Sequence, residues 1–160
     1  LREFKEKKII SADSDELKLG KLDQEPTGES LDGKAVKKLS KWIKQSLEDR
    51  VSEVETGERL INSPVCVVGE DGMGGASARR IMKMMQGPEG EMPASKVKFQ
   101  INPNHAIIHG LFKLMEKDEP TAQLVANQLL DNALASANLL DDPREMIARS
   151  YQALEKLTTV

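Results

Sequence analysis

The chain has 160 residues, of which 39% are hydrophobic and 31% charged, with a net charge of −3 at pH 7. That length suits one domain, and the longest unbroken apolar run, Val65–Val68, is far short of the ~20 residues a membrane-spanning helix needs. One cysteine excludes a disulfide framework or a multi-cysteine metal site, while an acidic balance with one Trp, one Tyr and three Phe is a poor basis for binding nucleic acid.

The start, LREFKEKKIIS, is mostly charged and carries no secretory pattern. A soluble intracellular protein is therefore expected. The chain begins without Met and reads as a piece cut from something longer. Its first twelve residues suit an edge strand or the tail of a preceding domain. Ser11 to Asp32 is rich in Asp, Glu, Ser, Gly and Lys and contains Pro26. Such a stretch offers too little apolar surface to offset the entropy of ordering. The main boundary falls near Pro26, separating residues 1–25 from a domain spanning 26–160.

A helix is expected from about Lys34, capped by Asp32, with Val36, Leu39, Ile43 and Leu47 at helical spacing. Val51, Val54 and Leu60 then suggest a strand with imperfect alternation. Asn62-Ser63-Pro64 signals a turn, and Val65–Val68 reads as a short buried strand. Four glycines between Gly69 and Gly75 make a loop. A short helix, Ala76 to Gln86, follows and ends at Gly87-Pro88. Lys96–Ile101 alternates strictly, with Val97, Phe99 and Ile101 on one side. Asn102-Pro103 is expected to open the next helix as cap and first-turn proline. Two more helices follow, Pro120 to Asn138 and Pro143 to Leu157, the second opened by Asp142-Pro143. The predicted fold is α+β: a small three-stranded sheet with helices, ending in a helical pair.

The motifs of chemistry mostly fail on inspection. The glycines at 69, 72, 74 and 75 are not followed by Lys-Ser/Thr and do not fit dinucleotide spacing. A phosphorylated small molecule bound at Gly72–Gly75 is the rival functional reading. His105 and His109 share a helical face, but Ala106 stands where a metalloprotease has Glu, and no third ligand is suggested. Cys66 lies in a β-branched run and reads as a small hydrophobe. No serine sits in a nucleophile elbow. No catalytic residue and no metal ligand is assigned.

Two features remain. Met73, Met82, Met84, Met85 and Met92 lie within twenty residues around the short helix. Packed methionines would simply be core, whereas flexible thioethers on an open face suit varied partners. The terminal helices carry broad apolar faces: Leu129, Leu130, Ala133 and Leu134 on one, Met146, Ile147, Tyr151 and Leu154 on the other. Such a pair either packs on the sheet or completes a four-helix bundle with a second copy.

The runs RLINSPVCVV, SARRIMKMM, FQINPNHAIIHGL and LLDNALASANLLDDPREMIARSYQAL, in that order, resemble the C-terminal domain of the heat shock protein 90 chaperones. The resemblance covers about Arg50 to the end, and LREFKEKKIIS is similar to the end of the family's middle domain. The bacterial HtpG and mitochondrial TRAP-type branches are the most alike, which implies a bacterial cytoplasmic or mitochondrial setting and a role in the stress response. The resemblance implies a homodimer whose bundle is built from Ala122–Asn138 and Pro143–Leu157. The interface residues expected there are Leu130, Ala133, Leu134, Met146, Ile147, Tyr151 and Leu154. It also implies contact with unfolded or partly folded clients through Met73, Ile81 and Met82, to which the helical face adds Met85. ATP and Mg²⁺ belong to the N-terminal domain of the parent chaperone. This chain is accordingly expected to be no enzyme and to hold no cofactor. The acidic tail that docks TPR co-chaperones is absent, so that partner is not expected.

Overall fold

In a computed structural model the chain is described over residues 3–4, 7–8, 30–57, 60–68, 96–140 and 142–158. Near the start, β1 (Glu3–Phe4) and β2 (Lys7–Lys8) pair antiparallel, Glu3 opposite Lys8 and Phe4 opposite Lys7. The short helix expected at 76–86, the glycine loop and residues 11–29 of the linker expected over Ser11 to Asp32 lie outside the described residues.

The first described helix is α1 (Gly33–Ser46). Asp32 caps it as expected, its side chain accepting the Ala35 N–H at 2.6 Å. Leu39 and Ile43 are fully buried, with Leu47 just beyond the helix. The lysines at 34, 37, 38, 41 and 44 lie on the exposed side. Strands β3 (Val51–Thr56), β4 (Val65–Val68) and β5 (Val97–Ile101) form the expected three-stranded sheet, in the order β3-β5-β4. It is mixed: β3 runs parallel to β5, and β4 antiparallel.

Strand β5 alternates as its sequence dictates. Val97, Phe99 and Ile101 are buried at 3%, 1% and 0% exposure. The uneven spacing in β3 has a local cause. The register shifts between Val51 and Glu53, so Val51 pairs with Val97 while Val54 pairs with Phe99. One extra residue at this bulge keeps both valines on the core side. The strand also ends at Thr56, short of the expected Leu60. Gly57 explains the close: a Cβ there would lie 2.6 Å from the Leu60 side chain.

Asn102-Pro103 does not open a helix. Asn102 is 2% exposed, and its side-chain amide donates to the carbonyls of Leu60, Ile61 and Ser63 at 3.0–3.3 Å. Its Oδ1 accepts the Asn104 N–H at 3.0 Å. The side chain is spent on closing the loop after β3, so the helix starts later. This helix, α2 (Ala106–Lys117), is capped by His105, whose Nδ1 accepts the Ile107 N–H at 3.1 Å. His109 Nε2 lies 2.8 Å from the Pro103 carbonyl. Both histidines thus serve the start of α2.

Asp118 ends α2 and caps α3 (Glu119–Ser136) at once. Its N–H reaches the Leu114 carbonyl at 2.8 Å, and its carboxylate accepts the Thr121 N–H at 3.1 Å. At the other end Asn138 takes a positive φ of 58°. The Leu139 N–H then reaches the Leu134 carbonyl and the Asn138 N–H reaches Ala135, a Schellman turn. The chain reverses into α4 (Pro143–Thr158), where Asp142 accepts the Arg144 N–H at 2.9 Å. One core unites these parts: α1, the sheet, Ile108 and Leu111 of α2, and Ala122, Ala126, Leu129, Leu130 and Ala133 of α3.

Candidate interaction surface

Helix α4 differs from the other three described helices. None of its residues is buried. Ile147, Tyr151, Leu154 and Leu157 are 47%, 63%, 51% and 73% exposed. Ile147, Tyr151 and Leu154 are four and three apart, so they form one stripe along the helix.

Helix α4 is attached to the antiparallel α3 by polar contacts at its middle and near its C-terminal end. Arg149 Nε donates to Asp131 Oδ2 at 2.6 Å, and Lys156 Nζ donates to Thr121 Oγ1 at 2.5 Å. Asp131 is fully buried in α3. Its second oxygen, Oδ1, accepts from Arg50 Nη2 at 2.5 Å, and Arg50 Nη1 also reaches Asn127 Oδ1 at 3.3 Å. Arg50 sits directly before β3, where its carbonyl accepts the Val97 N–H. The carboxylate therefore joins the head of the sheet, α3 and α4. The hydrogen bond to Asp131 raises the Arg149 guanidinium pKa, with a smaller contribution from Glu145.

The expected interface residues divide into two groups. Leu130 and Ala133 are buried in this chain's own core, at 0% and 6% exposure, and Leu134 packs partly buried against that core. Met146 is half-buried, while Ile147, Tyr151 and Leu154 face solvent. Leu157, apolar on the same helix but not among the expected interface residues, extends the exposed surface. The client-contact residues Met73, Ile81, Met82 and Met85 lie outside the described residues, as does Gly72–Gly75. Cys66 is half-buried and its thiol reaches Gln100 Oε1 at 3.6 Å. Among the described residues no cluster of three or more His, Cys, Asp or Glu is placed to hold a metal. No helix among them is long and apolar enough to cross a membrane.

Sequence reading missed Asp131, Arg50 and Arg149. A signal for the first was present: an acid within LLDNALA, between Leu130 and Ala133, falls on a face otherwise apolar. Its partners lie 81 and 18 residues away, beyond the reach of spacing arguments.

Comparison with known proteins adds the family. The model described as "Hsp90 protein" matches residues 1–160. The chain is 34% identical over 161 residues to the chaperone protein HtpG of Desulfotalea psychrophila, covering 98% of this chain and 26% of that protein. It is 35% identical to the mitochondrial TNF receptor-associated protein 1 homolog of Dictyostelium discoideum, with 98% and 22% coverage. It is also 35% identical to the mitochondrial heat shock protein 75 kDa of Rattus norvegicus, with 98% and 23% coverage. The chain thus spans about a quarter of the length of these relatives, which are bacterial and mitochondrial. The expectation that the chain is no enzyme is corrected here. The match of all 160 residues to the Hsp90 family, with chaperone protein HtpG among the relatives, overturns that expectation, and the label of non-enzyme is withdrawn.

Proposed function

The chain belongs to the Hsp90 family, and from that premise we propose that it is the C-terminal dimerisation and client-contact module of an ATP-dependent molecular chaperone assisting protein folding. In this reading residues 1–25 are the end of the middle domain and a linker, and 26–160 form the dimerisation domain. ATP with Mg²⁺ is the cofactor proposed for the whole chaperone. The partners are a second copy of this chain and unfolded or partly folded client proteins.

The exposed stripe of α4 carries the proposal. A helix with no buried residue and four large apolar side chains in water leaves apolar surface uncovered. Two antiparallel α3–α4 pairs, related by a two-fold axis, would cover it as a four-helix bundle. A standard interface takes about 800 Å² from each partner. Ile147, Tyr151, Leu154 and Leu157 form its apolar centre, with Met146 and Leu134 beside them. Leu130 and Ala133 support it from behind. Holding two chains together keeps the rest of each protomer at high effective concentration. Met73, Ile81, Met82 and Met85 are the proposed client contacts, where adaptable thioethers accept varied apolar segments.

Native mass spectrometry of the chain and of its Tyr151→Glu and Leu154→Glu variants tests the seam. Each charge substitution is expected to convert dimer to folded monomer. If both variants keep the dimer mass, the seam is elsewhere. Met82→Glu is expected to weaken suppression of aggregation of a heat-denatured test protein while leaving the dimer intact.

A further inference from the structure

Helix α4 has little apolar attachment to its own protomer. Met146, Ser150 and Ala153 are its partly covered residues besides Arg149. Apolar packing of this kind is non-directional and leaves helix rotation loosely set. The polar contacts are directional. Arg149 is bound to Asp131 at the middle of the helix and Lys156 to Thr121 near its C-terminal end.

Helical geometry places these anchors opposite the exposed stripe. Each residue advances about 100° around the axis. Ile147 and Tyr151 are each two residues from Arg149, and Leu154 is two residues from Lys156. Both separations correspond to roughly 200°, the far side of the helix. Fixing Arg149 and Lys156 inward therefore fixes Ile147, Tyr151 and Leu154 outward.

We propose that Asp131 is a positioning residue for the dimer seam: its ion pair with Arg149 sets the rotation of α4 so that the apolar stripe faces a second copy. This rests on the dimer reading above. Arg50 holds the carboxylate from the other side, so Asp131 presents one fixed oxygen to α4. Without that anchor, the exposed stripe gains by turning toward its own protomer, which removes it from the seam. A buried ion pair is a weak source of stability, and its best-attested use is to fix register. The cost of burying this carboxylate is offset by two guanidinium partners that satisfy both oxygens. Side-chain exposure is 24% for Arg149 and 32% for Arg50 against 0% for Asp131, so water reaches the pair only from the arginine side.

The test compares Arg149→Met, Arg149→Lys and Asp131→Asn with the unaltered 160-residue chain. Amide hydrogen exchange along 143–158 is read at dilution favouring monomer, with 97–101 as the internal reference. The dimer dissociation constant is measured in parallel. Arg149→Met is expected to speed exchange in α4 about tenfold, leave β5 unchanged, and raise the dissociation constant about tenfold, the equivalent of roughly 1.4 kcal/mol. Arg149→Lys, which keeps the charge, is expected to recover most of both effects. Asp131→Asn is expected to speed exchange in α4 as Arg149→Met does, but it also releases Arg50 beside β5, so the two Arg149 variants decide. Unchanged exchange in α4 overturns the proposal. So does acceleration of β5 to the same degree, since that marks general destabilisation. If the unaltered chain is monomeric throughout, the dimer reading fails by itself, and the exchange arm still decides whether the anchor sets α4.

Discussion

At the scale of single residues, Asp131 is the one charged residue buried among the described residues. Its carboxylate is wholly buried and both oxygens are engaged by arginines. Removing it strands two guanidinium groups that remain partly wetted. The cost of breaking a buried pair, about 3–5 kcal/mol, is therefore reduced by screening. Asp131→Ala is expected to lower stability by about 2–4 kcal/mol in urea unfolding. Phe99 makes a contrasting case, because its ring is 1% exposed at the centre of β5 and surrounded by apolar groups. Phe99→Ala is expected to cost about 3–5 kcal/mol by the same measurement, through lost transfer energy and the cavity left behind. Phe99 was legible from sequence because alternation in KVKFQI reports burial directly. Asp131 was not, because its role depends on arginines that only the tertiary fold brings near.

The elements depend on their ends. Asp118 and Asp142 both have carboxyls held below the usual aspartate range. For Asp118 the Thr121 hydroxyl comes first, then the Thr121 N–H and the charge of Lys156. For Asp142 the Arg144 guanidinium comes first, then the Arg144 N–H. A depressed folded pKa contributes stability that is present above the unfolded value of about 3.9. That contribution is lost as pH falls through the lower folded value. The urea midpoint is therefore expected to drop below about pH 4, and Asp118→Asn with Asp142→Asn to flatten that acid limb. Asn138 closes α3 in the left-handed region. Asn138→Ala is expected to cost about 1 kcal/mol, and Asn138→Gly to be tolerated. Caps such as Asp32 and Asp142-Pro143 were readable because local chemistry settles them. Asn102-Pro103 carried the same local signature and was misread, since its side chain is claimed by a loop some forty residues earlier in the chain.

At the scale of the whole molecule, one layer of the design is complete and another is open. The sheet, α1, α2 and α3 share a closed core. Helix α4 stands on its surface with a stripe turned outward. Periodicity alone could not separate these roles, because the apolar faces of α3 and α4 look equally broad in sequence. Burial separates them: Leu130 and Ala133 are spent within the protomer, whereas Tyr151, Leu154 and Leu157 are not. A second copy is the occupant proposed for that stripe. Sedimentation equilibrium of the 160-residue chain across loadings spanning the micromolar range tests this most directly. The expected result is a mass that rises with loading to twice 17.7 kDa. A mass that stays at 17.7 kDa at every loading, with helical circular dichroism intact, contradicts it.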